Sequence, residues 1–256
     1  MLKLLFDKID ILKAELSALR PLSPGGLKRL REDFMIENTY DTNAIEGSTL
    51  TLRETSLILK ENMTIGEKPL SMHLDAIGHR DAFWYMMDMA DTKQPLTEQA
   101  IKKLHSLVYM NDAHYKGKYR DLPVMIRGTS NQPPQPFLVA PQMEALIAEY
   151  DDIKKDNHIV DAIATFHLRF EGIHPFIDGN GRTGRLIINL ELIKAGLLPV
   201  NIKYTDRRRY YDCFDSYLGE GGTSDLLSEL IAEYEIEELE KYLQIVRYAN
   251  DNVDDF

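Results

Sequence analysis

Apolar residues recur at three- and four-residue steps along almost the whole of this chain, and one stretch breaks that rhythm. Leu2, Leu5, Ile9, Leu12, Leu16 and Leu19 share one face of a helix that Pro21 and Pro24 stop. The same period predicts helices over Leu27 to about Ile36, Leu52 to Asn62, His73 to Met89, Thr97 to Val108, Pro141 to Tyr150 and His158 to Glu171. Three more are expected over Arg182 to Ala195, Arg208 to Leu218 and Leu226 to Tyr248. Thr51 and Glu54 have the spacing of a capping box, and Gly196 with Pro199 closes the helix that begins at Arg182. The exception is Leu122 to Ala140. Two short β-prone runs, Pro123 to Arg127 and Pro136 to Ala140, flank a turn rich in Gly, Pro and Asn, which predicts a β-hairpin leaning on a helical body. The expected fold is mainly α, with one small β-hairpin.

A chain of 256 residues buries roughly 75% of its unfolded surface without needing a staple. Its 44% hydrophobic and 28% charged residues exclude a disordered polymer. The single cysteine, Cys213, excludes an internal disulfide and reads as inert helix filling. A formal charge of −11 argues against general nucleic-acid binding, and the one basic run, Arg207-Arg208-Arg209, reads as a solvated helix start or a local phosphate contact. Charges every few residues over the first ten positions leave no signal-peptide core, and no 18 apolar residues run together. A cytoplasmic protein with no membrane partner is expected, and its acidic end, Asp251 to Phe256, is expected to fray.

The densest chemistry is His174-Pro-Phe-Ile-Asp178-Gly-Asn180-Gly-Arg182-Thr-Gly-Arg185, a loop running into a helix start. There the first N–H groups lack intrahelical acceptors and the dipole favours anions. Gly179 and Gly181 let the backbone curl around a phosphate, and Arg182 and Arg185, three apart, form a clamp on one face. Asp178 offers a carboxylate for Mg²⁺, which commonly binds through one or two carboxylates plus substrate phosphates. His174 supplies a base that works near neutral pH. Gly179-x-Gly181-x-x-Gly184 also matches a dinucleotide fingerprint, but a helix precedes it where a strand is required. His79-Arg80-Asp81 mimics a kinase triplet, yet Met86 stands where Asn is needed. His167 sits in an apolar run and reads as a packed, hydrogen-bonded core residue rather than a metal ligand.

His174 to Arg185 resembles the signature of the Fic family, His-Pro-Phe-x-(Asp/Glu)-Gly-Asn-Gly-Arg-x-x-Arg, at every defined position. The resemblance extends to Ile45-Glu46-Gly47, the hairpin, Phe166-His167-x-x-Phe170 and Tyr210-Tyr211. It implies a Fic-type helical bundle with the hairpin as a flap near the active site. It also implies a protein adenylyltransferase that moves AMP from ATP to a Ser, Thr or Tyr hydroxyl of a protein, itself included, releasing pyrophosphate. His174 would be the base, Asp178 the Mg²⁺ ligand, and Asn180 with the Gly179 and Gly181 backbone the anion hole. Arg182 would add charge stabilisation and Arg185 would hold the γ-phosphate. Tyr210 and Tyr211 would line the adenine pocket, and Gly128 and Thr129 in the flap would contact nucleotide or target. An unidentified target protein would lie along the flap.

Thr42-x-x-x-Glu46-Gly47 resembles the inhibitory motif of one class of these proteins, so Glu46 is expected to pair with Arg185. The implied division is an N-terminal helical region carrying that motif over 1–96, a catalytic core over 97–235, and a C-terminal helix with acidic tail over 236–256. Two alternatives stay open: a hydrolase that removes AMP by means of Glu46, and a nucleotide-sensing module with little turnover. The oligomeric state, a homo-oligomer included, is open as well.

Overall fold

A computed structural model describes residues 1–19, 21–125, 132–219 and 221–251. Among them the chain forms ten α-helices and one 3₁₀ turn, and no β-strand. The helices are α1 (Leu2–Ala18), α2 (Pro24–Ile45), α3 (Leu52–Glu61), α4 (Leu70–Asp91), α5 (Glu98–Val108), α6 (Pro136–Asp156), α7 (Ile159–Ile173), α8 (Asn180–Lys194), α9 (Arg207–Leu218) and α10 (Asp225–Asp251). The 3₁₀ turn is Tyr204–Asp206.

The α7–α8 pair is the partition of the molecule. One edge of α7 (Ala162, Phe166, Phe170, Ile173) and of α8 (Leu186, Ile187, Leu190) packs into a core shared with α3, α4, α5 and α6. The other edge (Val160, Ile163, Ala164, Leu168, Ile188, Leu192) packs into a second core with α1, α9 and α10. A helix buried on both sides has no solvated stripe to display, so α8 is apolar or tightly paired nearly all round. Gly184 lets the two helices meet: a Cβ there would lie 2.6 Å from the His167 ring and 2.8 Å from Glu171 Oε1.

Capping follows the sequence closely. Thr51 and Glu54 form the reciprocal capping box. Ser23 accepts from the Gly26 N–H with Pro24 in the first turn, so the proline that stops α1 also starts α2. The length of α2 departs from expectation. Its last turns, Asn38-Thr-Tyr-Asp-Thr-Asn43, carry no apolar stripe, yet Asn38, Thr39, Asp41, Thr42 and Asn43 are buried. Partners from distant segments hold them helical. Asn38 donates to Asn201 at 3.2 Å and Asn201 donates to Asp41 at 2.8 Å. Thr39 pairs with His79 Nδ1 at 2.9 Å.

The expected hairpin is corrected. Pro136 to Ala140, read as its second strand, are the first turns of α6, and Leu122 to Met125 form no strand. A five-residue apolar run cannot be assigned by periodicity, and the buried stripe Val139, Met143, Leu146 and Tyr150 shows that it belongs to a helical face. Pro136 at the first helical position is pre-organised for it, and Pro141 sits inside the helix rather than before it. The hairpin's turn, with Gly128 and Thr129, lies outside the described residues, as do positions 252–256 of the acidic end.

Gly184→Ala is expected to destabilise the protein by about 1–3 kcal/mol, because the new methyl meets a buried ring and a buried carboxyl with no room to retreat. Urea unfolding with an unchanged slope would measure it, and equal midpoints would contradict the packing.

Candidate active site

The loop between α7 and α8 is held from three directions. Pro175 forbids α7 to continue, and His174 caps it in the left-handed region at φ +50 while its N–H donates to Phe170 O at 3.0 Å. Buried Arg120 steadies that uncommon turn. Its Nε donates to His174 O at 2.8 Å, its Nη1 to Leu122 O at 3.1 Å and its Nη2 to Pro134 O at 2.6 Å. A cation against the carboxyl end of α7 is favoured by the helix dipole. From α5, His105 Nδ1 accepts from the Gly117 N–H at 3.1 Å, so Nε2 carries the proton and donates to Asp178 O at 2.9 Å. The His105 ring stacks flat on Phe176 with centroids 3.7 Å apart, and burial lowers its pKa to about 4. Asn180 clamps the loop from inside: Oδ1 accepts from Phe176 N and Nδ2 donates to Phe176 O, both at 2.9 Å. Its amide is committed to the loop, so an anion here would meet the main-chain N–H groups instead.

A cavity of about 470 Å³ opens above the start of α8, lined among others by Glu46, Glu171, His174, Asp178, Arg185 and Tyr210. Gly181, Arg207, Tyr211 and Met125 complete much of its wall. Burial depresses the His174 pKa to about 4, opposed by the main-chain carbonyl of Glu171, so the imidazole is neutral at pH 7. Asp178 keeps 62% of its side chain exposed, with Oδ1 accepting from Gly179 N at 2.5 Å. Buried Arg182 pairs with Asp75 Oδ1 of α4 at 2.7 Å and lies 3.6 Å from Asp178.

Arg185 is the centre of the constellation. Its Nε donates to Thr42 Oγ1 at 2.8 Å, its Nη2 to Glu46 Oε1 at 2.6 Å and to Thr42 O at 3.2 Å, and its Nη1 to Tyr210 OH at 3.3 Å. Burial disfavours the Arg185 charge, but Tyr210 and Glu46 outweigh it and the pKa is raised. Burial likewise works against the Glu46 carboxylate, yet the facing guanidinium holds its pKa below the ordinary range. The Glu46 carboxylate lies against Gly181, where a Cβ would collide with it. The pairing of Glu46 with Arg185 expected from the motif is present in the structure.

Tyr210 and Tyr211 both line the cavity, but each hydroxyl is engaged. Tyr210 OH is 2.7 Å from His167 Nε2, and Tyr211 donates to Ile45 O at 3.3 Å. His167 is buried with its pKa lowered to about 3 by burial, in keeping with a core role. Among the described residues no three His, Cys, Asp or Glu converge as a metal cage. A lone carboxylate with an exposed face fits the way Mg²⁺ shares one protein ligand with phosphates. Cys213 is buried in α9, its thiol pKa pushed up to about 11 by burial.

Four participants escaped the sequence reading. Arg120, His105 and Asp75 reach the loop from far along the chain, and nothing local marks them. Glu171 did leave a signal: His167, Glu171 and His174 stand at i, i+4 and i+7 on one face of α7. Its carboxyl is 12% exposed, and burial with the like charge of Glu46 raises its pKa from 4.5 to about 8.

Residues 95–192 match the model of the Fic/DOC family. A protein adenylyltransferase Fic of Nematostella vectensis is 32% identical over 230 residues, covering 87% of this chain and 51% of that protein. A protein of the same name from Drosophila melanogaster is 32% identical over 210 residues, covering 80% and 42%. The chain thus spans about half the length of the curated relatives it matches. Among solved structures, a Fic domain containing signaling protein from Bacteroides thetaiotaomicron superposes with a TM-score of 0.82 at 26% identity, covering 96% of both chains. Fic-1 from C. elegans shares the fold with a TM-score of 0.84 at 24% identity, covering 97% of this chain and 73% of that one. No described helix is long and apolar enough to cross a membrane.

Because Glu171 is neutral in the folded state and titrates near its ordinary 4.5 when unfolded, it costs stability increasingly as pH rises from 4.5 towards 8. Glu171→Gln is therefore expected to be the more stable protein above pH 4.5, by about 3 kcal/mol at pH 7. Thermal melts across that range would show the gap widening with pH; parallel curves would refute a neutral carboxyl.

Proposed function

The chain belongs to the Fic/DOC family, and from that premise we propose that it is a protein adenylyltransferase that Glu46 holds inactive. The observation that carries the reading is the pairing of Glu46 with buried Arg185 at 2.6 Å over the start of α8, beside a neutral His174. A triphosphate would lie against the first N–H groups of α8, with its terminal phosphate on Arg185. Arg182, fixed by Asp75, would add positive charge near the phosphates. Tyr210 and Tyr211 would border the base, and Gly128 and Thr129 would contact nucleotide or target. Asp178 would hold Mg²⁺, which when bound neutralises charge on the phosphates.

His174 accepts the proton of a Ser, Thr or Tyr hydroxyl of the target. The hydroxyl oxygen forms a bond to the α-phosphorus as the bond from that phosphorus to the bridging oxygen breaks, and pyrophosphate leaves with the electron pair. Positioning and charge stabilisation suffice for such a transfer. While the Glu46 carboxylate fills the Arg185 fork, that fork cannot take a phosphate, and the α-phosphorus is not presented in line. The cytoplasm is the proposed compartment.

The test is labelled AMP incorporation from ATP into the protein itself or a lysate. Glu46→Gly is expected to raise it by an order of magnitude or more, about the factor that freeing one charged contact supplies, and His174→Ala in that background should abolish it. Equal labelling in all forms would end the proposal. If instead Glu46→Gly loses the ability to strip AMP from a modified target, Glu46 serves hydrolysis.

A further inference from the structure

One face of α7 carries a second acid into the site. Glu171 Oε2 lies 3.8 Å from His174 Nδ1; Nδ1 is buried with only the Glu171 main-chain carbonyl facing it, short of good hydrogen-bond geometry, and Glu171 Oε1 is buried with no hydrogen-bond partner. A movement of about 1 Å would bring the pair into hydrogen-bond range, and such contacts tighten when a site is loaded. His174 also lines the cavity above the start of α8, which leaves Nε2 as the nitrogen for an incoming hydroxyl.

We propose that Glu171 is a positioning residue for His174, its carboxylate holding the Nδ1 side of the ring and stabilising the imidazolium formed as Nε2 takes the target's proton. The assignment rests on His174 being the base of the transfer reaction. It adds no covalent step: the proton passes from hydroxyl to Nε2, and Glu171 contributes charge and orientation.

The charged and titratable groups around this pair come from each packed element. They are Glu46 at the end of α2, Arg182 and Arg185 on α8, His167 on α7, Tyr210 on α9, Asp178 in the loop and Arg120 after α5. Of these, Glu46 pushes Glu171 towards its neutral form and Arg185 pulls it towards the ionised one. With Glu46 seated on Arg185, burial and the Glu46 charge outweigh the pull of Arg185 and keep Glu171 protonated. The inhibitory carboxylate thereby acts twice: it fills the phosphate fork, and it silences the acid behind the base.

Two readouts in the Glu46→Gly background decide the matter. The first is a ¹⁵N-histidine NMR titration with and without Glu171→Gln. With Glu171 present the His174 ring should respond in two coupled steps, and with Gln in one. The second is AMP transfer, where Glu171→Gln should lower kcat at least about 10-fold, leave KM for ATP within about twofold, and flatten the rise of rate with pH. A variant that is slower yet at least as stable cannot owe its loss to misfolding. Superimposable titrations, or an unchanged kcat, would overturn the assignment and leave the Glu171 main-chain carbonyl to orient the ring. No transfer with Glu171 intact would overturn the transferase reading, and the titration would still judge the pairing.

Discussion

A guanidinium buried to 5% exposure at the amino end of a helix cannot stand alone, and the fold around Arg185 is organised to partner it. Charge at that place is doubly awkward, because the exposed dipole of α8 is positive there. The chain answers with a hydroxyl, a carbonyl and a carboxylate from α2 and a phenol from α9, segments far apart in sequence. The same environment that makes Arg185 costly when unpaired makes it a strong receptor for any anion of the right reach. Under the proposed function, a carboxylate tethered to the protein and a phosphate of a ligand would compete for one fork.

This constraint explains the company that Arg185 keeps. Tyr210 touches both Arg185 and His167, so the phenol couples the fork to the core under α7. Thr42 fixes the rotamer of the guanidinium through Nε, leaving Nη2 on Glu46 and Nη1 on Tyr210. Removing Glu46 therefore leaves an arginine whose direction is still set by Thr42 and Tyr210, a pre-organised clamp rather than a loose side chain.

What the sequence revealed, and what it did not, divides along physical lines. The loop from His174 to Arg185 was legible because its chemistry is local: glycines, a cap and two arginines at helical spacing. Most helices were legible because they bury an apolar stripe. The end of α2 was not, because its buried face is polar and made helical by Asn201, His79 and Arg185, none of them nearby. The first turns of α6 were misread because Pro136-Phe-Leu-Val-Ala is too short to show a period and Pro141 mimics a boundary. Arg120 and His105 recognise main-chain atoms of the loop, and a contact to a carbonyl leaves no mark on the residue that owns it.

The polar face of α2 also bears on how Arg185 is released under the proposed inhibition. Lifting the whole helix would break the Asn38–Asn201–Asp41 and Thr39–His79 bonds together, at about 1–3 kcal/mol for each buried group left unsatisfied. Freeing Glu46 alone breaks one ion pair at the carboxyl end of that helix, where Glu46 is the cap and its side chain keeps 35% of its surface open. Gly47 follows at φ +99, a backbone setting that suits glycine and lets the chain turn away immediately after the cap. Local opening at the last turn therefore costs less than displacement of the element. A regulator of this protein need only act on the few residues around Glu46 and Gly47, while the rest of α2 stays in place as part of the wall of the site.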